Sequence, residues 1–369
     1  METDAAAVGA RLHELEAQVR ERAADLAVFL VYDRPERVAE RPGIQRAFFT
    51  ERCASNEQLS SMIAEFRAID AYVEVLEGEL ALLGALAEGR IQRMSQPLKL
   101  IYNGIEGGIA SDGFQPGRKA LIPAVADAYG VLASNSNAYA CALGRHKFHY
   151  FTVLKGLGVP TPPCWHYRPG RGWAGERMPP AGLKVIVKST YESWSVGVTD
   201  KSIFVVDNDC ELRAATIAEE IGQPVTVQQF VAGVEVGVTV LACPELVVPP
   251  PVETVLAKAP GDKNAVMTVH DNLADASIVL PRYRGPETVL AALYQAAARA
   301  FDGLELEGFA RIDLRVDDAE QVWVTDIGVS PGISGKDAAF RSLQEIGFDY
   351  GGFLRVVAGA TLACHGVLG

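Results

Sequence analysis

The sequence predicts an α/β protein of three successive units: an amino-terminal α/β unit over residues 1–134, a central α+β unit over 135–227, and a carboxy-terminal α+β unit over 228–369. Three observations carry this reading. Helix-period and strand-like segments alternate through the first third, as in a layered α/β unit. After Pro160 the texture changes to short β-branched strands. Near the carboxy terminus, "GFARIDLRV" (308–316) and "VWVTDIGVSPG" (322–332) read as two halves of one hairpin.

Taken in order, residues 5–24 are helical in period and lead into a strand, "LAVFLVY". Helical periodicity runs from Asn56 to about Arg90. "PLKLIYNGIEGG" is a strand entering a Gly-rich loop, and "GRKALIPAVADAYGV" is a helix. "NAYACALGRHKFHYFTVLKGLGVPTPP" reads as one helix, stopped by Gly158 and Pro160. The strands "LKVIVKS", "SVGVT" and "SIFVVD" follow, then the helix "CELRAATIAEEIG" and the strands "PVTVQQFV" and "VEVGVTVLA". A Pro/Gly/Asp-rich stretch from Pro249 to about Pro281 is too long for a mere connector and reads as a lid. The helix starting at Glu287, the hairpin and a helical tail from Asp337 complete the chain.

The composition is that of an ordinary globular protein. Acidic residues outnumber basic ones, 46 to 34, for a net charge of -12. That balance argues against a nucleic-acid partner, which leaves a basic footprint. The six cysteines are scattered without metal-ligand spacing, so reduced thiols are expected. With no apolar run of membrane length and no signal-peptide pattern at the start, a soluble, cytoplasmic protein is expected. The six histidines read as structural, with His270 in the lid the one to watch.

The hairpin poses the chemical question. Centred on Ala319 and Glu320, it sets Asp313 opposite Asp326. Ile312, Leu314 and Val316 then face the core with Ile327, Thr325 and Trp323, while Val324 and Gly328 join the carboxylate face. Like charges facing each other are destabilising, so a cation belongs between them. A surface ion cluster using Arg311 or Arg315 satisfies that demand. So does a divalent metal on oxygen ligands, as Mg²⁺ is held at phosphate-transfer sites.

Elsewhere, Lys188 ends an apolar strand shortly before the small-residue run "SVGV", a sensible arrangement for a triphosphate. Lys147 lies some forty residues earlier, and "VTVQQFVAGVEVGVTVL" supplies an apolar linker followed by Glu235. This order of two lysines, small-residue loop, apolar hinge, acid, then Arg-x-Asp and a second acid before Pro-Gly resembles the ATP-grasp superfamily, and within it the D-alanine–D-alanine ligases. The likeness runs from about Asn103 to Tyr350. It implies an ATP-grasp fold with an amino-terminal α/β domain and two ATP-clamping domains. It also implies an ATP- and Mg²⁺-dependent ligase joining a small carboxylate and an amine of amino-acid type through an acyl phosphate. Lys147 and Lys188 would contact phosphates, with Ser195, Val196 and Gly197 closing over them. Gln228, Phe230 and Val231 would form the adenine hinge, and Glu235 would bind ribose. Asp313 and Asp326 would carry the metal and Arg311 the transferred phosphoryl group, with Lys258 or Lys263 reaching in from the lid. Glu106 and Glu57 would face the substrates. Only this likeness speaks for a homodimer.

Three departures stand out. The usual glutamate of the metal strand is Asp326, the asparagine two residues on is Gly328, and a serine that holds a substrate carboxylate falls at Asp337. They point to a different amino-acid-type substrate or, alternatively, to a catalytically impaired homologue serving as a nucleotide-binding regulator.

Overall fold

The computed structural model describes residues 1–33, 54–104, 117–268, 271 and 277–368. Asp4 accepts from the amides of Ala6 and Ala7 and so starts α1 (Ala5–Glu21). Strand β1 (Leu26–Tyr32) follows, with every residue buried. Ser55 caps α2 (Asn56–Arg67). The helical reading of 56–90 fails at Asp70, whose φ of 65° breaks the helix. "YVEVLE" then forms β2 (Tyr72–Glu77), a period-2 segment masked by the apolar residues around it, before α3 (Gly78–Ala87). Next come β3 (Leu98–Asn103), α4 (Leu121–Tyr129) and β4 (Leu132–Ala133). The four strands form a parallel sheet ordered β2-β1-β3-β4. The direction in which successive strands are added reverses between β1 and β3, and open α/β sheets bind ligands beyond the strand ends at such a switch point.

The single helix expected over "NAYACALGRHKF" is two, α5 (Ala138–Arg145) and α6 (Lys147–Gly156). His146 between them is extended, and its Nδ1 caps α6 by accepting from the amide of His149. The break puts Lys147 at a helix start. The central unit continues with β5 (Cys164–Arg168), β6 (Gly172–Trp173), β7 (Lys184–Ser189), β8 (Ile203–Val205), α7 (Cys210–Ile221) and β9 (Val225–Gln229). Its antiparallel sheet has the order β6-β5-β9-β7-β8. Val185, Val187, Val225 and Val227 pack on Ala214, Ile217 and Ile221 of α7. "SVGVT", expected as a strand, is a turn.

The carboxy-terminal unit holds β10 (Val234–Cys243), β11 (Glu245–Val247), β12 (Val252–Glu253), β13 (Val255–Leu256), β14 (Ile278–Val279), α8 (Glu287–Gly303), β15 (Phe309–Val316), β16 (Val322–Gly328), α9 (Ala338–Gln344) and α10 (Tyr350–Cys364). The main sheet runs β11-β10-β15-β16, with β12 also on β10 and β13–β14 apart. Ala310, Ile312 and Leu314 pack on Val289, Leu293 and Ala297 of α8. The opposite face, through Leu241 and Phe309, packs on α10, which in turn holds α1.

That α1–α10 contact joins the first and last units. A Cβ added at Gly359 would come within 2.7 Å of Leu15 Cγ and 3.1 Å of Val19 Cγ2, so only glycine lets the helices approach this closely. Arg355, buried beside it, pairs with Glu16 at 2.8 Å. Overpacking such a contact costs about 1–3 kcal/mol. Gly359→Val should therefore lower the unfolding free energy by about 1–3 kcal/mol, measured by chemical unfolding.

Candidate active site

Between the central sheet and the β15–β16 hairpin lies a cleft floored by β7, β9, β15 and β16. Within the hairpin, Asp313 does pair with Asp326, Ile312 with Ile327 and Arg311 with Gly328. Beyond Asp313 the register slips by one: Leu314 pairs with Val324 and Arg315 with Trp323. Thr325 is the extra residue of a β-bulge. The simple alternation expected below Asp326 therefore fails, and Val322 and Val324 face the core instead of Trp323. Val324 and Ile327 lie an odd number of residues apart, and an unbroken pleat cannot bury both. The bulge buries both and turns the Thr325 carbonyl outward, where Lys188 Nζ donates to it at 2.8 Å.

The two carboxylates are not left to repel. Arg311 grips Asp313 with two bonds, Nε at 2.6 Å and an NH2 nitrogen at 2.8 Å. Lys147 Nζ donates to both oxygens of Asp326 at 3.0 and 3.1 Å, and the Tyr150 hydroxyl donates at 2.6 Å. Lys147 and Tyr150 sit at i and i+3 of α6, hence on one face. Burial pushes the Asp326 carboxyl upward, but Lys147, Lys188 and the Tyr150 hydrogen bond outweigh it and hold the group well below the usual range. At Asp313 burial wins over Arg311 and raises the carboxyl. Burial lowers the Lys188 ammonium, with Asp326 opposing. In the free protein the charge demand of the pair is thus met by Arg311 and Lys147.

The loop after β7 carries the second feature. Trp194 and Ser195 have φ of 58° and 57°, and Gly197 has 81°. Consecutive non-glycine residues in the left-handed region store strain, which concentrates at functional loops. The amides of Val196 and Val198 bond to Ser193 and Ser195. Among the described residues those of Ser195 and Gly197 have no partner, which leaves both free to donate. The loop is tethered by Glu192, wholly buried between Arg118 at 2.6 Å and Arg145 at 3.3 Å.

Opposite the loop, Phe230 packs with Ile186, Val198 and Val266 as an apolar slot. The buried Gln228 amide nitrogen at its edge has no partner among the described residues. Arg315 ties this end together, reaching the Val231 carbonyl at 2.9 Å, Glu235 at 3.0 Å and the Ala265 carbonyl at 2.7 Å.

Of the residues expected at the site, Lys147, Lys188, Ser195, Val196, Gln228, Phe230, Val231, Glu235, Arg311, Asp313 and Asp326 all line this cleft. Gly197 adjoins it and shapes the loop. Glu57 does not reach it: it is exposed on the first turn of α2. Lys258 pairs with Asp271 at 2.7 Å and Lys263 with Asp318, so neither lid lysine reaches the cleft, which Val266 and Met267 line in their place. Glu106 and His270 lie outside the described residues. His146, His149 and His166 cluster behind α6, with burial pushing His146 down to about 3 and His166 to about 4. They pack ring on ring, and burial disfavours their charged forms. Sequence reasoning missed Tyr150, Glu192 and Arg145. The i, i+3 spacing from Lys147 was a usable signal for Tyr150; nothing local marked the other two.

Fold and site together define an ATP-grasp enzyme. Residues 155–357, more than half of the chain, match the family described as D-ala D-ala ligase C-terminus. The chain belongs to this family, and with it to the ATP-dependent carbon–nitrogen ligases. It is 25% identical over 304 residues to a D-alanine–D-alanine ligase of Marinomonas sp., covering 82% of this chain and 89% of the relative. To that of Desulforudis audaxviator it is 28% identical, over 64% of this chain and 72% of the relative. Its fold is similar to the Bacillus anthracis D-alanine–D-alanine ligase complexed with ATP, with a TM-score of 0.66 at 15% identity over 91% of this chain and 97% of that one. It is likewise similar to the VanG D-Ala:D-Ser ligase of Enterococcus faecalis, at 0.62 and 13%, over 91% and 99%. Among the described residues no helix is long and apolar enough to cross a membrane.

The pairing of Asp326 makes a prediction opposite to simple carboxylate repulsion. Asp326→Asn strands Lys147 and should destabilise the free protein by about 1–3 kcal/mol, the partly open site lessening the cost of breaking a buried pair. A depressed carboxyl contributes stability that is present above its unfolded value, about 4, and lost as pH falls through the folded value. The gap between parent and variant in thermal or urea unfolding should therefore close on acidification below about pH 4.

Proposed function

We propose that this chain activates a small carboxylate with ATP and joins it to an amine, making an amide or dipeptide bond on amino-acid-type substrates other than a D-alanine pair. The observation that carries the reading is the convergence of Lys147, Lys188 and Arg311 on the facing pair Asp313 and Asp326. The cleft fits ATP. The Phe230 slot with its unpartnered Gln228 nitrogen suits a purine, Glu235 in the same cleft suits a ribose hydroxyl, and the free amides of Ser195 and Gly197 suit phosphate oxygens.

Asp313 and Asp326 also fit Mg²⁺. Among the described residues no three acidic, His or Cys side chains form a ready cage, and Mg²⁺ needs only one or two carboxylates beside phosphate oxygens and waters. When bound it would supply charge neutralisation between the phosphates. The chain's own groups do the rest. Phosphates draw Lys147 and Arg311 away from their carboxylates, Lys188 holds phosphate oxygens, and Arg311 offsets charge on the transferred phosphoryl group. The substrate carboxylate oxygen attacks the γ-phosphorus and ADP leaves, giving an acyl phosphate. The amine then attacks the acyl carbon, the C–O bond to phosphate breaks, and phosphate departs with its electron pair while the amine sheds a proton. The left-handed loop, closed over the site, keeps water from the acyl phosphate. The alternative, a nucleotide-binding regulator, draws support from Gly328, which offers no ligand where a side chain would aid a second metal.

Two experiments test this reading. Lys188→Ala and Lys147→Ala should each weaken ATP·Mg²⁺ binding by about 10- to 100-fold in calorimetry, the loss of a charge-assisted contact of about 1.5–3 kcal/mol. Unchanged affinity in both would remove the phosphate assignment. At Gly328, whose φ is not positive, the atoms nearest to a Cβ would be Arg311 O at 3.4 Å and Cβ at 3.6 Å, and Pro331 Cβ at 3.8 Å, all ordinary contacts. Gly328→Asn should fold and should preserve or raise ADP release at limiting Mg²⁺. A regulator would release no ADP in either form.

A further inference from the structure

The acids lining the cleft divide into two kinds. Asp313 is paired with Arg311, Asp326 with Lys147, Glu235 with Arg315, and Glu192 with Arg118 and Arg145. Asp337 lines the same cleft, and among the described residues no cation pairs with it. Its Oδ2 accepts from the amide and hydroxyl of Ser334, both at 2.7 Å. The other side of the carboxylate lies against Gly332, where any Cβ would collide with it, so the turn is shaped to admit it.

Its position along the cleft is set by β15. Arg315, Asp313 and Arg311 project from one face of this strand, spanning about 13 Å at 3.3 Å per residue. Arg315 marks the hinge end, Asp313 the phosphate centre, and Arg311 the far end. Gly328 pairs with Arg311, and a Cβ on it would meet Pro331, next to the Gly332 that the Asp337 carboxylate abuts, so Asp337 lies at that far end, opposite the purine slot. A second observation points to the same spot. Tyr32, at the end of β1 beside the switch point of the first sheet, is 4% exposed, and among the described residues its hydroxyl has no hydrogen-bond partner. It packs in one cluster with Ile333, and Tyr350 packs against that cluster, so the phenol lies behind the turn that leads to Asp337; burial holds its ionisation well above the ordinary value. Tyr350 itself is occupied, donating to the Ile333 carbonyl at 2.9 Å.

An unpaired carboxylate lining the far end of a ligase cleft, with an idle hydroxyl buried behind the turn that leads to it, asks for a cation with a hydrogen-bonding group beside it. We propose that the amine acceptor binds here as a cationic amine without a neighbouring carboxylate, its ammonium on Asp337, which takes the proton the nitrogen must lose before it attacks, and its polar group on Tyr32. This rests on the ligase reading above and names the acceptor class. A zwitterionic amino acid would set its own carboxylate against Asp337, and like charges at such range repel.

The test compares alaninamide with alanine as acceptors, isosteric but for the carboxylate. Donor carboxylates are first screened with ATP and hydroxylamine, which converts an acyl phosphate to a hydroxamate. With a working donor, the parent should use alaninamide at least about tenfold better in kcat/KM, a cost typical of an unfavourable charge juxtaposition. Asp337→Ser and Asp337→Asn should each cut that preference about tenfold, and Asn keeps an acceptor for Ser334. Since each preference is a ratio within one protein, a fall in folded fraction cancels. Tyr32→Phe should raise the acceptor KM more than it lowers kcat. A parent that prefers alanine, or a preference unmoved by both Asp337 variants, overturns the acceptor assignment alone. The absence of hydroxamate with every donor overturns the ligase reading, and this inference falls with it.

Discussion

Asp326 is the hinge of the charge arrangement. It faces Asp313 across a hairpin, and two carboxylates cannot share that space without cations. In the free protein Lys147 at the start of α6 and Arg311 on β15 provide them. These are the groups a triphosphate would recruit. In the proposed function, ligand and metal would replace charges already balanced, and no bare carboxylate pair has to be stored in the fold. The helix break at His146, the Thr325 bulge and the i, i+3 placement of Tyr150 all serve to bring cations onto this one pair.

The exchange also gives the cleft a direction. The apolar slot and Arg315 belong to the hinge end, the paired acids and lysines to the centre, and the unpaired Asp337 to the far end. Each position follows from one strand whose alternate residues face the cleft. The amino-terminal unit contributes at both margins, through Arg118 on the buried Glu192 and Tyr32 near Asp337. The close α1–α10 contact at Gly359 fixes that unit against the carboxy-terminal one.

Much of this was legible in the chain. The facing aspartates, both lysines, the loop glycine and the hinge were readable because each rests on local spacing or on the order of motifs along the sequence. What escaped detection depended on contacts distant in sequence or on competition between patterns. β2 was hidden because an apolar alternation sat between two helices and blurred into their period. One helix became two because His146 caps the second, a role that helical periodicity does not display. The bulge was missed although Val324 and Ile327 carried its odd spacing. Lys258 and Lys263 illustrate the limit most clearly: as lysines in a long loop they looked alike, and only the fold shows Asp271 and Asp318 taking them up.

The central claim is that Asp326 exchanges Lys147 for ligand-borne charge. A double-mutant cycle between Lys147→Met and Asp326→Asn, read as unfolding free energy with and without saturating ADP and Mg²⁺, tests it most directly. The account predicts a coupling of about 1 kcal/mol or more in the free protein, falling toward zero when nucleotide and metal are bound. A coupling absent from the free protein, or unchanged by the ligands, would contradict it.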